Sequence, residues 1–322
     1  MHVVVTGAAG FIGSHTCERL VAQGHRVTGI DSFDAYLYPP EVKRANAAEL
    51  AKLPGDRFSL VVADICDREA MARALTSDVD VVCHLAALAG VRPSLAEPLR
   101  YLRTNIEGTG VIVERMRQAG LDRLVFASSS SVYGAKAGTE VAAFREDDPC
   151  LTPASPYAAT KRMNELQLSA YRDLFGIGVF AMRFFTVYGP RQRPDMAINK
   201  FTRAIAAGEQ ITLFGDGQSR RDYTYIDDIV SGVVAAIERI KPAQYEIYNL
   251  GGTATIALRE LVAVIEGVVG KAAQIEWKPD QPGDVPITYA NVDRARAALG
   301  YAPTTRVDEG IARYWQWLQR GL

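Results

Sequence analysis

The sequence predicts an α/β fold, a doubly wound parallel sheet followed by a smaller mixed α/β lobe at the carboxyl-terminal end. Two observations support this prediction. Short apolar runs rich in β-branched residues alternate with amphipathic stretches in the first half of the chain, which is typical of parallel strands covered on both faces. After residue 186 this alternation becomes less regular. We therefore predict two domains, residues 1–185 and residues 186–322, with a soft boundary and some interleaving.

Six apolar runs are the predicted strands of the first domain, and the amphipathic stretches between them are the predicted helices. The second domain is predicted to contain a helix at about 196–208 and short strands around 245–250 and 274–277. The six runs cover residues 2–7, 25–31, 58–65, 79–87, 121–129 and 178–186.

Composition excludes several classes of protein. The 322 residues are 48% hydrophobic, with 36 basic and 37 acidic side chains, so no positive excess favours nucleic acid or an anionic membrane. The four cysteines are far apart and the histidines form no H-E-x-x-H pattern, so neither a disulfide framework nor a metal site is predicted. A strand beginning at His2 leaves no room for a signal peptide, and no apolar run approaches the roughly 18 residues of a membrane span. We expect a cytoplasmic location.

A glycine pattern follows the first strand in "TGAAGFIGSH". Glycines in a G-x-x-G-x-x-G spacing permit a tight turn and let backbone N–H groups approach a pyrophosphate at a helix N-terminus, as in a Rossmann domain. Glycine turns without ligands are common, but Asp31 ends the second strand, where a carboxylate accepts hydrogen bonds from ribose hydroxyls. No arginine follows at once in "SFDAY", so NAD is favoured over NADP. The predicted loop residues are Gly7, Gly10, Phe11, Ile12 and Gly13.

Two further strand ends are candidates for cofactor contact. Asp64 closes the third strand, where its carboxylate or the Ile65 N–H would meet an adenine edge; the alternative is that Asp64 caps the following helix. The run "HLAALAG" places Leu85, Ala86 and Ala87 after the fourth strand, where small side chains permit either close approach of a cofactor or helix–sheet packing.

A catalytic pair is predicted in "PYAATKRMNE". Tyr157 and Lys161 are four residues apart and project from one face of a helix. A phenol that accepts a proton at neutral pH needs a nearby cation, which Lys161 would supply. The preceding strand ends in "FASSSSVYG", and its serines would hold a substrate hydroxyl against the tyrosine; a polar turn that caps a helix is the alternative for some of them.

These motifs, together with "RFFTVYGP" and "RRDYTYIDD", resemble the extended short-chain dehydrogenase/reductase family of nucleotide-sugar epimerases and dehydratases. The resemblance implies tightly held NAD that is reduced and reoxidised within one turnover, and a UDP- or dTDP-sugar bound by the carboxyl-terminal lobe. It places the catalytic serine at Ser129, with Ser130 beside it, and the base and its helper at Tyr157 and Lys161. Asn105 matches an asparagine that the family keeps behind the lysine.

The same resemblance assigns residues of the second lobe. "TLFG" contains Thr212, Leu213 and Phe214 and matches the strand beside the uracil of UDP-sugars. Arg221 matches a diphosphate-binding arginine and Asp284 a ribose-binding residue. Arg220 is interpreted as solvent-facing or ion-paired, and Gln281 stands where some relatives have an arginine. The sets are Thr212, Leu213, Phe214, Arg221 and Asp284 for the nucleotide and Ser129, Ser130, Tyr157, Thr186 and Arg193 for the sugar.

Within the family, "RFFTVYGPRQRPDM" with "QPGDVP" resembles the UDP-glucuronate 4-epimerases, in which Thr186 and Arg193 match residues that hold the sugar carboxylate. Dehydratases carry an Asp-Glu pair after the catalytic threonine, whereas serines follow Ser129 here. The resemblance therefore implies 4-epimerisation of UDP-glucuronate to UDP-galacturonate through a 4-keto sugar. The alternatives are UDP-glucuronate decarboxylation, 4-epimerisation of UDP-glucose or UDP-N-acetylglucosamine, and a regulator that senses NAD without turnover. Arg191 is interpreted as solvated and Arg183 as part of the strand.

A homodimer is also predicted. Helices at about 96–119 and 156–175 carry apolar stripes, and the family pairs such helices into a four-helix bundle. A role in the protein core is the alternative. The stripe residues are Leu99, Leu102, Ile106, Val113, Leu166, Tyr171 and Leu174.

Overall fold

The structure of the chain is a computed structural model that describes residues 1–134, 143–252, 254–279 and 287–320. Among these residues, no helix is both long enough and apolar enough to cross a membrane. The strands are β1 (His2–Thr6), β2 (Arg26–Asp31), β3 (Phe58–Val62), β4 (Val81–His84), β5 (Arg123–Ser129), β6 (Gly178–Phe184), β7 (Thr186–Tyr188), β8 (Gln210–Phe214), β9 (Arg220–Arg221), β10 (Tyr223–Tyr225), β11 (Tyr245–Leu250), β12 (Ile256–Ala257), β13 (Gln274–Lys278) and β14 (Ile287–Thr288).

The helices lie between these strands, as the alternating pattern predicts. They are α1 (Phe11–Ala22), α2 (Pro40–Leu50), α3 (Arg68–Ala74), α4 (Val91–Ala96), α5 (Pro98–Tyr101), α6 (Gly108–Ala119), α7 (Pro156–Phe175), α8 (Ala197–Ala207), α9 (Ile226–Arg239), α10 (Leu258–Val269), α11 (Asp293–Leu299) and α12 (Val307–Gln319), with a π-helix at Leu102–Glu107 and a 3₁₀ turn at Ser130–Tyr133.

A seven-stranded parallel sheet forms the centre of the described chain, in the order β11-β6-β5-β4-β1-β2-β3. The strand order reverses between β1 and β4, and a doubly wound sheet opens a ligand crevice at such a point. Two hydrophobic clusters of buried residues cover the sheet, as expected for strands that are apolar on both sides. The predicted doubly wound α/β fold is therefore confirmed.

The sheet continues beyond residue 186. Strand β11 pairs with β6 in parallel register, from Tyr245 opposite Val179 to Leu250 opposite Phe184, and helix α9 packs against α1. The remaining short strands form small sheets, β7 with β10, β8 with β13, and β9 between β12 and β14. The elements after residue 186 thus contribute both to the large sheet and to a smaller mixed α/β lobe. The division near residue 185 remains a prediction.

Two predicted elements differ from the observed ones. The strand predicted at 79–87 ends at His84, because residues 85–90 leave the sheet and line a cavity. The helix predicted at 96–119 is interrupted by the π-helix, in which the backbone carbonyl of Asn105 accepts a hydrogen bond from the Asn164 side chain. A single π turn inside a helix is common at functional sites. Val113 of the predicted stripe is fully buried and belongs to the core.

Candidate active site

Two adjoining cavities lie at the carboxyl ends of the sheet strands and in the smaller lobe. The first has a volume of about 550 Å³ and the second about 1160 Å³, and Arg92 and Asp195 line both. Volumes of this size suit ligands of nucleotide size. All predicted cofactor and sugar residues except Asn105 line the first cavity. They are Gly7, Gly10, Phe11, Ile12, Gly13, Asp31, Asp64, Ile65, Leu85, Ala86, Ala87, Ser129, Ser130, Tyr157, Lys161, Thr186 and Arg193.

The glycine loop forms the turn that the sequence predicts. Gly7 has a φ of +70°, and a Cβ atom there would lie 2.9 Å from the backbone nitrogen of Ala86. A side chain at Gly13 would collide with the carbonyl oxygen of Gly7. The first position therefore allows the turn and close approach to the end of β4, and the last allows helix α1 to begin directly beneath the loop.

Asp31 is buried at the end of β2, where its carboxylate fastens the glycine loop. One oxygen accepts a hydrogen bond from the Ala9 N–H at 3.1 Å and the other from the Phe33 N–H at 2.9 Å. Lys43 of α2 lies 3.9 Å from the Asp31 carboxylate and lines the same cavity. Sequence reasoning missed Lys43 because it comes from the next helix and not from the residues that follow the strand.

At the end of β3, Asp64 makes a local turn. Its carboxylate accepts a hydrogen bond from the Cys66 N–H at 2.9 Å. The alternative that Asp64 caps the following helix is wrong, because Asp67 is the N-cap of α3 and accepts from the Ala70 N–H at 3.0 Å. Asp64 and Ile65 both line the first cavity, and their contact with an adenine edge stays a prediction.

Asn105 lies behind the cavity wall. Its side-chain oxygen accepts a hydrogen bond from the Leu88 N–H at 2.8 Å, and its side-chain nitrogen donates to the Leu88 carbonyl and to Thr160, both at 3.0 Å. The side chain therefore connects the chain after β4 to helix α7, next to Lys161. Asn105 is buried and links these two segments by hydrogen bonds, and it does not line the cavity.

Ser129, Tyr157 and Lys161 converge at the base of the first cavity. Ser155 caps α7 by accepting from the Ala158 N–H at 3.1 Å, and this cap sets the first turn of the helix that carries Tyr157. Lys161 donates from Nζ to the carbonyl oxygen of Ala127 on β5 at 2.7 Å. Ser129 lies within interaction range of the Tyr157 phenol, and its Oγ accepts hydrogen bonds from the Ser131 N–H at 3.2 Å and the Ser131 hydroxyl at 2.9 Å.

A second basic residue, Arg193, acts on the phenol, and this role of Arg193 was not predicted. Burial raises the pKa of Tyr157, while the Ser129 hydroxyl and the charge of Arg193 act to lower that pKa. Burial also lowers the pKa of Lys161 from its usual 10.5 to about 7. Arg193 is a cation that acts on the phenol and stays protonated, because it is a guanidinium; the role of Lys161 as helper of the base stays a prediction.

A buried ion pair behind this site was not predicted. Arg183 of β6 donates to both carboxylate oxygens of Glu165 at 2.9 Å, and Ser128 donates to the same carboxylate at 2.6 Å. All three side chains are buried, and Glu165 lies one helical turn after Lys161. The pair fixes α7 against β5 and β6, so it sets the position of Tyr157 relative to Ser129. Arg183 lies in the strand, as the sequence interpretation held.

The two remaining arginines of the arginine-rich loop, Arg191 and Arg193, have different surroundings. Arg193 lines the first cavity and makes a two-point ion pair with Asp195, at 3.0 and 2.5 Å. Arg191 has a φ of +62° and donates to Glu18 of α1 at 2.6 Å. The interpretation of Arg191 as merely solvated is wrong, because it ties the loop to helix α1.

The second cavity contains the residues matched to the nucleotide. Thr212, Leu213, Phe214 and Arg221 line it, and Arg92 of α4 lies over the Phe214 ring, 5.1 Å from its centre. Arg220 donates instead to Thr255 and pairs with Glu260, in agreement with the interpretation of Arg220 as ion-paired. Asp284 and Gln281 lie outside the described residues.

Two residues of this region, one aromatic and one basic, were not predicted from the sequence. Tyr101 is fully buried and its ring stands edge-on to the Tyr157 ring, with centroids 6.2 Å apart. Arg92 bridges both cavities. Neither belongs to a spacing that has a chemical meaning by itself, so only the folded chain brings them to the site.

Comparison with known proteins gives a consistent result. Residues 3–251 match the model of the NAD dependent epimerase/dehydratase family. A UDP-glucuronate 4-epimerase from Thermodesulfobacterium geofontis is 39% identical across an alignment of 324 positions, which covers 100% of this chain and 97% of that protein. The crystal structure of a UDP-glucuronic acid 4-epimerase from Bacillus cereus in complex with UDP-glucuronic acid and NAD is 36% identical, with a TM-score of 0.92 and full coverage of both chains. A UDP-glucose 4-epimerase from Thermotoga maritima, with UDP-glucose, is 29% identical with a TM-score of 0.88, covering 100% of this chain and 99% of that one.

Proposed function

This chain belongs to the NAD-dependent epimerase/dehydratase family, and from that premise we propose that it is an isomerase, an NAD-dependent UDP-glucuronate 4-epimerase that forms UDP-galacturonate. The similar folds of the glucuronate and glucose enzymes mean that overall shape does not decide the sugar. The observation that carries the proposal is the cavity-lining Arg193, a cation beside Tyr157. Such a position suits a sugar that bears a carboxylate.

The first cavity fits NAD. The glycine loop carries no side chains at its glycine positions at the start of α1, so its backbone N–H groups can approach a pyrophosphate. Asp31 lines the same cavity, where it can bind the adenosine ribose. The cavity wall after β4 is formed by Leu85, Ala86 and Ala87. Asn105 fixes the next residue, Leu88, by a hydrogen bond to its carbonyl oxygen. When bound, NAD supplies the acceptor and donor of hydride at carbon 4 of the sugar.

Ser129, Tyr157 and Lys161 perform the proton transfer. Tyr157 accepts the proton of the 4-hydroxyl, and Ser129 holds that hydroxyl against the phenol. Burial opposes formation of the phenolate, so the Arg193 charge and the Ser129 hydroxyl both assist the base. Lys161 is held by the Ala127 carbonyl, where its Nζ is positioned for a ribose hydroxyl of the cofactor.

Arg193 and Thr186 hold the carboxylate of the sugar. Oxidation at carbon 4 creates a β-keto acid, which loses carbon dioxide when the breaking carbon–carbon bond stands perpendicular to the ketone plane. A carboxylate fixed by a guanidinium and a hydroxyl is kept out of that alignment. The same contacts that choose an acidic sugar therefore protect it from decarboxylation.

The second cavity receives the UDP group. Arg221 reaches the diphosphate, and the strand residues Thr212, Leu213 and Phe214 stand beside the uracil. Asp284 remains a prediction for the ribose.

Arg193→Ala is expected to reduce kcat/KM for UDP-glucuronate by about 100-fold or more, since loss of a buried charge pair with a ligand costs about 2–5 kcal/mol. NAD content should be unchanged, because the arginine contacts the sugar side of the cavity. Arg191→Ala is the matched control: it lies in the same loop, pairs with Glu18 outside the cavity, and should leave kcat/KM within about threefold. Equal losses of turnover and NAD binding in the Arg193 variant would give this loop a structural role instead.

Product analysis separates the proposal from its alternatives. Purified protein is incubated with UDP-glucuronate, and UDP-galacturonate is measured against carbon dioxide and UDP-pentose. Carbon dioxide as the main product would identify a decarboxylase, and conversion of UDP-glucose or UDP-N-acetylglucosamine alone would identify a neutral-sugar epimerase. NAD binding without conversion of any UDP-sugar would indicate a regulator.

A homodimer formed through α5, the π-helix and α7 completes the proposal, and a cytoplasmic location stays a prediction. Leu99, Leu166 and Leu174 are 78%, 57% and 73% exposed, and Leu102 is 40% exposed. Several exposed apolar side chains on neighbouring helices support an interface between subunits.

Leu99→Glu combined with Leu174→Glu is expected to produce a monomer, because burying the new carboxylates at the interface is costly. Light scattering should then give the chain mass of 35.1 kDa, against twice that value for the unaltered protein. A mass of 35.1 kDa for the unaltered protein would contradict the dimer.

A further inference from the structure

We infer that Asp195 is a positioning residue for carboxylate recognition, holding the Arg193 guanidinium from one side so that its outer edge faces the sugar. This inference rests on the proposed function, in which Arg193 receives the carboxylate. Arg193 and Asp195 both line the first cavity, so the pair is part of the site.

The geometry of the ion pair leaves the outer edge of the guanidinium available. Asp195 accepts from Nε at 3.0 Å and from Nη2 at 2.5 Å, which is a side-on pairing. A guanidinium also presents an end-on edge, formed by Nη1 and the second hydrogen of Nη2, that can bind another carboxylate through two hydrogen bonds. Asp195 and the sugar carboxylate can thus contact Arg193 at the same time.

Gly90 leaves space beside the guanidinium. A Cβ atom at Gly90 would lie 3.5 Å from Nη2 of Arg193 and 3.3 Å from Cδ of Pro93, and Gly90 has a φ of +110°. The guanidinium is therefore bonded to Asp195 along its inner side, and no side chain of residue 90 occupies the space near Nη2. An arginine held in this way loses little freedom when a ligand binds.

The local chain fixes Asp195 independently of any ligand. It lies in the turn before α8, closed by the hydrogen bond from the Met196 N–H to the Arg193 carbonyl at 3.2 Å. The ion pair can therefore persist while the sugar ring rotates and carries its carboxylate with it. Without Asp195, the guanidinium would be free to follow the carboxylate, and the alignment that releases carbon dioxide would become accessible.

The test is Asp195→Asn in the NAD-bound enzyme, with both products of UDP-glucuronate measured. We expect kcat/KM to fall on the order of 10- to 100-fold, and the share of carbon dioxide and UDP-pentose among the products to rise. Asp195→Glu, which restores a two-point acceptor, should return that share toward the unaltered value. NAD content and the melting temperature should stay unchanged.

Asp308→Asn is the matched control. Asp308 makes the same pair with an arginine two residues before it, accepting from Nε and Nη2 of Arg306 at 3.0 Å each, in the first turn of another helix. This pair is exposed and lies outside both cavities. The control should leave kcat/KM and the product ratio unchanged.

The outcomes separate the two proposals. If the unaltered enzyme forms UDP-galacturonate but Asp195→Asn matches it in kcat/KM and product ratio, or binds UDP-glucuronate more tightly without extra carbon dioxide, Asp195 does not position Arg193 and the inference is wrong. If the unaltered enzyme does not convert UDP-glucuronate, the proposed function and the inference both fail. Should the Asn variant melt at a lower temperature, Asp195→Ser keeps a small polar side chain before the helix and must show the same rise in carbon dioxide.

Discussion

Tyr157→Phe is expected to lower kcat for UDP-glucuronate on the order of 10³-fold, with NAD content and the melting temperature unchanged. Removal of a general base costs about 10²- to 10⁴-fold, and here the phenolic oxygen is the proposed acceptor of the 4-hydroxyl proton. The phenyl ring keeps the edge-on contact with Tyr101, so packing around the site should survive. Single-turnover measurement of product formation, with NAD quantified by absorbance after denaturation, tests the prediction.

Tyr171→Phe supplies the control on the same helix. Its hydroxyl donates to Glu114 at 3.3 Å, away from both cavities, so the variant should keep kcat within about twofold. Turnover by the Tyr157 variant at more than a tenth of the unaltered rate would assign the proton transfer to another group. Ser129 would then be the first residue to replace.

The central sheet and the glycine loop were predictable because their signals are local. Strand-length apolar runs separated by helix-length amphipathic runs leave few arrangements other than a parallel sheet covered on both faces. Gly7 and Gly13 occupy positions where a side chain would strike backbone atoms, so the presence of glycine at these positions predicts the turn. The spacing of Tyr157 and Lys161 placed both on one face of α7 for the same reason.

Partners that lie far apart in the chain were not predictable. Arg191 pairs with Glu18, 173 residues away, and no spacing within "RFFTVYGPRQRPDM" distinguishes it from Arg193. Asp195 was within that stretch, but only the fold shows that it pairs with Arg193 inside the cavity. The charge on the phenol was assigned to Lys161 because helix spacing was the available evidence, whereas burial, which weakens that charge, is a property of the folded chain.

Lys161→Met is expected to abolish turnover and to stabilise the NAD-free protein at neutral pH. Lys161 is 2% exposed, and burial lowers the pKa of its ammonium from 10.5 to about 7. Folding therefore opposes protonation of this group, so the buried lysine lowers the free energy of unfolding at neutral pH. Methionine fills a similar volume without a charge, so about 3 kcal/mol of stability should be regained after about 1 kcal/mol for the lost hydrogen bond to Ala127 is deducted.

The pH dependence of this gain identifies its cause. Between about pH 7 and 10.5 the unfolded lysine carries a proton that the folded one does not, so unfolding takes up a proton and stability of the unaltered protein rises with pH. The slope from this group approaches about 1.4 kcal/mol per pH unit within that range. Lys161→Met removes the slope, so its stabilising effect should be largest at pH 7 and below and should shrink toward pH 10.

Denaturant unfolding of both proteins from pH 6 to pH 10 measures this difference. Lys241→Met, the same replacement at an exposed position after α9, should show no pH-dependent gain. A stabilisation by Lys161→Met that does not change with pH would mean that the buried lysine keeps its proton throughout. In that case Lys161 would act on Tyr157 as a fixed cation, as its helical spacing suggested, and Arg193 would serve the substrate carboxylate without being needed for the phenolate.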